Sequence, residues 1–275
     1  MKHQKKIALV NDVTGYGRCS IAVELPLISA LKIQGCVLPT AVLSVHTGFP
    51  AYYMDDYTER MPAYIESWKR NKLAFDGILT GFLGSARQSD TVLAFIRDFK
   101  QEATKVIVDP VMGDYGRLYP SYTEDMCRKM RQLLTVADVI TPNLTEACRL
   151  LDIPYPDQGQ VSPDRLEHMA AALTDKGPSQ LVLTGLHEGE YLLNYVYEKG
   201  KAPEIQRVKK IGSDRSGTGD VFAAIVAGRI VQGKTLSEAV HSAADFVSKA
   251  MVYTEELQLP HNCGLAFEEF LTDLR

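Results

Sequence analysis

The sequence predicts an α/β fold: a mostly parallel sheet, helices on both faces and antiparallel strands at an edge. Two observations predict it. Short β-branched runs alternate with longer stretches of helical periodicity, which is the β-α-β pattern. Several of the runs are apolar throughout, as at Val106-Ile107-Val108, and a strand buried on both faces reads that way. The chain has 275 residues and is 45% hydrophobic, enough for a sizeable core. No linker interrupts it, so residues 1–275 are expected to form a single domain.

In chain order, strands are predicted over 6–10, 37–45, 77–82, 105–109, 139–141 and 180–184. Helices are predicted between them over 21–33, 58–71, 89–100, 124–135, 145–151 and 164–176. The pattern then changes. Residues 191–197 and 204–210 read as antiparallel edge strands around the Glu198-Lys199-Gly200 turn. Two more helices follow, over 220–232 and 236–252. The stretch 154–162, rich in Pro, Gly and Asp, reads as a surface loop. There is no internal repeat.

Charge and cysteine content exclude several classes. Charged residues make up 23% and the formal net charge is -4, so there is no electrostatic footprint for nucleic acid. No apolar run reaches the length of a membrane span. The basic start, Met1-Lys2-His3-Gln4-Lys5-Lys6, is followed by an apolar stretch too short for a signal peptide. Five scattered cysteines without C-x-x-C spacing fit reduced, cytosolic thiols, and a cytoplasmic location is the expectation.

In a parallel sheet, ligands bind beyond the carboxyl ends of the strands. The longest signal there is Ser216-Gly217-Thr218-Gly219-Asp220-Val221-Phe222-Ala223-Ala224. Its glycines let backbone approach an anion, and the first helical turn points N–H groups at it. Asp220 can take a proton from a hydroxyl. Taken alone, the string reads first as a glycine turn before a capped helix. Asp109-Pro110-Val111-Met112-Gly113-Asp114 ends a buried strand with two carboxylates, oxygen ligands of the kind Mg²⁺ prefers. A strand end with Asp accepting backbone N–H groups is the bland alternative. Thr141-Pro142-Asn143-Leu144-Thr145-Glu146 matches a capping box, with Glu146 at its third helical position. Its functional reading places Glu146 near a metal–phosphate centre. His46-Thr47-Gly48-Phe49 can bond and cover a polar ring, or be a loop with satisfied polar groups. Val10-Asn11-Asp12-Val13-Thr14-Gly15 reads as a substrate-facing turn, since it matches neither dinucleotide nor P-loop spacing. Trp68, the remaining histidines and the helical cysteines read as structure.

Together these motifs resemble the pyridoxal kinase family of the ribokinase-like superfamily. The resemblance runs from Ile7 to about Ala250 and rests on His46-Thr47-Gly48, the Asp109–Asp114 segment, Thr141-Pro142-Asn143-x-x-Glu146 and Gly217-Thr218-Gly219-Asp220. It implies a three-layer α/β/α sandwich and ATP-dependent phosphorylation of the 5′-hydroxymethyl of pyridoxal, pyridoxine or pyridoxamine. It implies Asp220 as base and Gly217, Thr218 and Gly219 as anion hole. Asn11, His46, Thr47 and Phe82 would face the vitamer ring. Asp109, Asp114 and Glu146 would lie near magnesium and phosphates, and Thr141 and Thr184 on the ATP phosphates. The family uses Mg²⁺, often with a monovalent cation such as K⁺, and is usually homodimeric. Residues 113–121 correspond to a flap over the nucleotide. A serine is usual at the position of Asn11 and a tyrosine at that of Phe82, so the departures fall on the acceptor side. The rival within the superfamily is a hydroxymethylpyrimidine kinase. A sugar kinase fits less, because 37–47 lacks a glycine-rich, Asp-containing segment. A non-catalytic binding protein would be expected to lose Asp220 or the glycines.

Overall fold

The computed structural model describes residues 3–275; Met1 and Lys2, the start of the basic run, lie outside them. In chain order the elements are β1 (Lys6–Tyr16), α1 (Ile21–Ala30), β2 (Gln34–Val45), β3 (Met54–Asp56), α2 (Met61–Arg70), β4 (Gly77–Thr80) and α3 (Ala86–Phe99). Then come β5 (Lys105–Val108), β6 (Gly113–Asp114), β7 (Arg117–Leu118), α4 (Glu124–Leu133), β8 (Val139–Ile140), α5 (Leu144–Leu151) and α6 (Pro163–Thr174). The chain ends with β9 (Gln180–Glu188), β10 (Tyr191–Glu198), β11 (Glu204–Lys209), α7 (Thr218–Val231) and α8 (Leu236–Glu256).

Nine strands form one sheet in the order β11-β10-β9-β8-β5-β4-β1-β2-β3. The run from β9 to β2 is parallel. β10 and β11 are antiparallel at one edge, as expected, and β3 is antiparallel to β2 at the other. Side chains alternate across the pleat. Ile7, Leu9, Leu79, Ile107 and Val139 pack on α1, α7 and α8. Ala8, Val10, Ile78, Val106 and Val108 pack on α2 through α6. The result is three layers with a core on each side. Ile107 is fully buried, so Ile107→Ala is expected to cost about 2–5 kcal/mol. Among the described residues, no helix is long and apolar enough to cross a membrane.

Two expectations need correction, and two segments gain detail. Residues 11–16 do not turn after the first strand but continue it, because β2 is as long as β1 and offers a ladder partner up to Tyr16↔Val45. The register shifts between Asn11 and Val13, where β1 passes the end of β4. Likewise Thr184 and Gly185 lie inside β9, which runs on to hairpin with β10. The flap segment contains a short hairpin, β6–β7, that periodicity could not reveal in two-residue strands. The 154–162 loop holds one 3₁₀ turn, Asp157–Gly159.

Candidate active site

The carboxyl ends of β5, β8 and β9 and the start of α7 surround a cavity of about 510 Å³. It is lined by Asp109, Asp114, Thr141, Glu146, Thr184, Gly217, Thr218, Gly219 and Asp220, every residue expected on the nucleotide side.

The start of α7 is shaped by its neighbours. Gly217 caps it in the left-handed region at φ 78°, and a Cβ there would lie 1.8 Å from the Arg18 carbonyl oxygen. Only glycine fits. Two residues earlier, the buried Arg215 donates to Leu259 O at 2.8 Å and to Glu255 Oε1 at 2.8 Å, which pins the turn to the end of α8. No side chain caps the helix, and the N–H groups of Gly219 and Asp220 meet no acceptor among the described residues. These free donors and the helix dipole together suit an anion.

Asp220 sits in the first turn of α7, half-buried. Burial lifts its pKa from 3.8 to about 6, the Ser20 N–H and the Asn11 amide pull it down, and Asp12 pushes it up. It is thus a carboxylate whose affinity for a proton is tuned towards neutrality. Asp109 rises to about 8 through burial and the nearby Asp220, against a 2.9 Å bond from Thr141 Oγ1. Glu146 is pushed well above the usual range by burial and by Asp109. Both its oxygens accept backbone N–H groups, Oε1 from Met112 at 3.1 Å and Oε2 from Asn143 at 2.8 Å. The capping box is therefore real, and Glu146 lines the cavity as well. Asp114 lies on the hairpin with much of its surface exposed, yet partial loss of hydration at the cavity wall, and then Asp214, raise its pKa to about 6.

The expected metal set of Asp109, Asp114 and Glu146 does not assemble. Among the described residues no three His, Cys, Asp or Glu are grouped to hold an ion. The reason is local: Glu146 serves the helix start and Asp114 rides on the hairpin.

The acceptor side departs further from expectation. Asn11, His46, Thr47 and Phe82 do not line the cavity. Asn11 is 0% exposed, and its amide is fully engaged inside the protein. Its Nδ2 donates to Glu24 Oε1 at 2.8 Å and to Asp220 Oδ1 at 3.4 Å. Its Oδ1 accepts from the N–H groups of Asp12 and Phe82, both at 2.9 Å. An amide has two donors and two acceptor sites, so none remains for a substrate ring. Both ring nitrogens of His46 are also taken: Nδ1 accepts from Gly48 N–H at 3.1 Å, and Nε2 then donates to Asn262 O at 2.9 Å. What His46 can offer is ring surface, stacked edge-on to Phe49 at 4.8 Å. Thr47 and Phe82 are half-buried.

Sequence reasoning missed several residues. Glu24 is the clearest: 2% exposed, in the first turn of α1. A lone glutamate in Ile21-Ala22-Val23-Glu24-Leu25-Pro26-Leu27 was the available signal, since a buried carboxyl needs a reason. Asp12 is also buried, holding Ser20 and Thr14 hydroxyls at 2.6 Å each. Lys210 and His187 line the cavity, whereas Lys249 pairs with Asp245 and Asp273 at the surface. Tyr115, at the hairpin tip, donates to Asp214 and bridges the flap to the segment before α7.

Residues 21–265 match a family model described as phosphomethylpyrimidine kinase. The chain is 32% identical over 197 residues to pyridoxal kinase of Arabidopsis thaliana, covering 67% of this chain and 61% of that protein. The match thus spans less than two thirds of that relative's length. A candidate phosphomethylpyrimidine kinase of Bacteroides thetaiotaomicron VPI-5482, in a crystal form with pyridoxal, superposes at a TM-score of 0.95 with 38% identity, covering 99% of this chain and 96% of that one. Pyridoxal kinase of Lactobacillus plantarum superposes at 0.91 with 28% identity, covering 99% and 97%. The chain belongs to the phosphomethylpyrimidine kinase family and has its ribokinase-like fold.

Proposed function

We propose that this member of the phosphomethylpyrimidine kinase family, as a single domain over 1–275, transfers the γ-phosphoryl group of ATP to the 5′-hydroxymethyl of a B6 vitamer. The observation that carries the reading is the pairing of Asp220 with the uncapped start of α7, at the end of a cavity large enough for a nucleotide. Asp220 accepts the hydroxyl proton as the oxygen attacks phosphorus. The bond between the γ-phosphorus and the bridging oxygen breaks and ADP leaves. The N–H groups of Gly219 and Asp220 face the charge that builds on the transferred group. Thr141, Thr184 and Lys210 lie along the cavity where the remaining phosphates would run.

The donor set fits Mg²⁺ delivered with the nucleotide rather than a resident ion. Asp109 keeps Oδ2 free while Thr141 holds Oδ1, and Mg²⁺ commonly takes one or two carboxylates plus phosphate oxygens. Bound there, the ion would neutralise phosphate charge. A monovalent cation such as K⁺ belongs to the same expectation. The vitamer assignment draws on the His46-Thr47-Gly48 segment and on the relative crystallised with pyridoxal. The exposed Tyr16, Val42, Tyr52 and Tyr53 along the β1–β3 edge fit a homodimer contact. The family description and a relative's name favour a second reading, a hydroxymethylpyrimidine or its phosphate as acceptor.

ADP release, measured side by side with pyridoxal, pyridoxine, pyridoxamine, hydroxymethylpyrimidine and phosphomethylpyrimidine, separates the two. Turnover of at least one vitamer is expected. Turnover of the pyrimidine alone would replace the acceptor and keep the kinase. Turnover of none would end the kinase reading.

A further inference from the structure

We propose that Glu24 is a positioning residue for Asp220, acting through the side chain of Asn11. The inference rests on the reading of Asp220 as the base. An asparagine amide can sit in either of two orientations, and its neighbours choose. Here the N–H groups of Asp12 and Phe82 call for the oxygen on one side. Glu24 Oε1 calls for the nitrogen on the other, at 2.8 Å. With the amide locked, its second N–H points at Asp220 Oδ1, 3.4 Å away. Without Glu24 the carbonyl oxygen could turn towards Asp220 and repel the charge the base must carry.

Glu24 suits this task as a neutral acid. It is 2% exposed, and its Oε2 meets no hydrogen-bond partner among the described residues. Burial and the nearby Asp220, Asp109 and Asp12 hold its carboxyl well above the usual range, against the Asn11 bond. A charged oxygen buried without a partner would be costly, whereas a protonated one keeps Oε1 as an acceptor. The groups that share Asp220's surroundings are Asp12 of β1, Cys19 before α1, Glu24 of α1, Asp109 after β5 and Tyr119 after β7. None is a cation, so the charged form of Asp220 is favoured by the Asn11 amide and the Ser20 N–H, together with the dipole of the α7 start on which it sits.

The test is the titration of Asp220 in ligand-free protein by carbon-13 NMR of the carboxyls, assigned by loss of the signal in Asp220→Asn. It is read beside kcat against pH. Glu24→Gln keeps a carbonyl oxygen for Asn11 and is expected to leave both within about threefold of wild type. Glu24→Leu is expected to raise the Asp220 midpoint by about 0.5–1 pH unit and lower kcat about tenfold, with KM for ATP unchanged. Asn11→Ser should give the same shift, and the double variant little more, since the two act as one unit. An unmoved midpoint in either folded variant overturns the proposal. So does a loss beyond tenfold in Glu24→Gln, which would make the charge of Glu24 the needed feature. If Glu24→Leu does not fold, Asn11→Ser and Glu24→Gln decide. A purely structural Glu24 would lower thermal stability and leave the Asp220 titration in place. The NMR arm needs no phosphoryl acceptor, so an enzyme inactive on all acceptors sinks the kinase reading without touching this result.

Discussion

Two helices, α5 and α7, start at the same cavity and are finished in opposite ways. The start of α5 closes on itself. Asn143 accepts the Glu146 N–H, and Glu146 takes the N–H of Asn143 and of Met112. The start of α7 has a left-handed glycine and no side-chain cap. Its free N–H groups and its dipole are left for something outside the protein. α3, α4, α6 and α8 are also capped by side chains. α1 and α2 lack such a cap as well; α2 starts with Pro at its second position, and the Ser20 N–H before α1 serves Asp220. The difference teaches where the fold spends its helix field: on stability at α5 and on a ligand at α7.

The comparison can be broken most severely at Asp220. Asp220→Asn is expected to lower kcat at least about a hundredfold while ATP still binds. In the wild type, kcat should fall as pH drops below about 6, where Asp220 protonates. The sign for stability is opposite. The folded pKa is raised from 3.8 to about 6, so the cost of holding Asp220 charged is absent below the lower value and complete above the upper one. A displacement of about two pH units is worth at most roughly 2–3 kcal/mol, less for a half-buried group. Asp220→Asn should therefore melt a few degrees higher than wild type at pH 8. Normal turnover in that variant would take α7 out of the chemistry.

Next in size are the two glycines of the turn. Gly217→Ala meets the Arg18 carbonyl and an unfavourable φ, and should cost several kcal/mol and lower the melting temperature by 5 °C or more, roughly. A Cβ at Gly219 meets nothing within 4 Å among the described residues. Gly219→Ala should fold like wild type yet lose about tenfold in kcat/KM for ATP, because its methyl enters the space beside the free donors. Equal melting and equal kinetics in Gly219→Ala would show that no anion sits there.

The smallest effect sharpens the α5 side. Asn143→Ala removes a cap and should cost about 1 kcal/mol, seen as a melting temperature about 2–4 °C lower. Its kcat should stay within about threefold. A loss as large as that of Gly219→Ala would put α5 on the same footing as α7.

Much of this was legible in the chain. Strand and helix identity followed from periodicity, and the Asn143-x-x-Glu146 spacing announced its own capping box. The nucleotide-side residues lay just after strand runs, and all of them reached one cavity. The acceptor side was not legible. Asn11 looked like a turn residue open to substrate, and it is sealed by partners 13, 71 and 209 residues away. Glu24 carried no motif at all. The two-residue strands of the flap were too short for any pattern.

The sequence by itself determined what depends on near neighbours: element type, the glycine turn before α7, the caps and the order of the polar segments along the sheet. Those features come from chain geometry within a few residues, which composition and spacing record directly. Only the tertiary structure decided which amide was engaged inside, which carboxyls have their pKa pushed up by burial and which helix start beside the cavity stayed open. Each of those depends on burial and on hydrogen-bond partners brought from distant strands, and such partners exist only once the layers have packed.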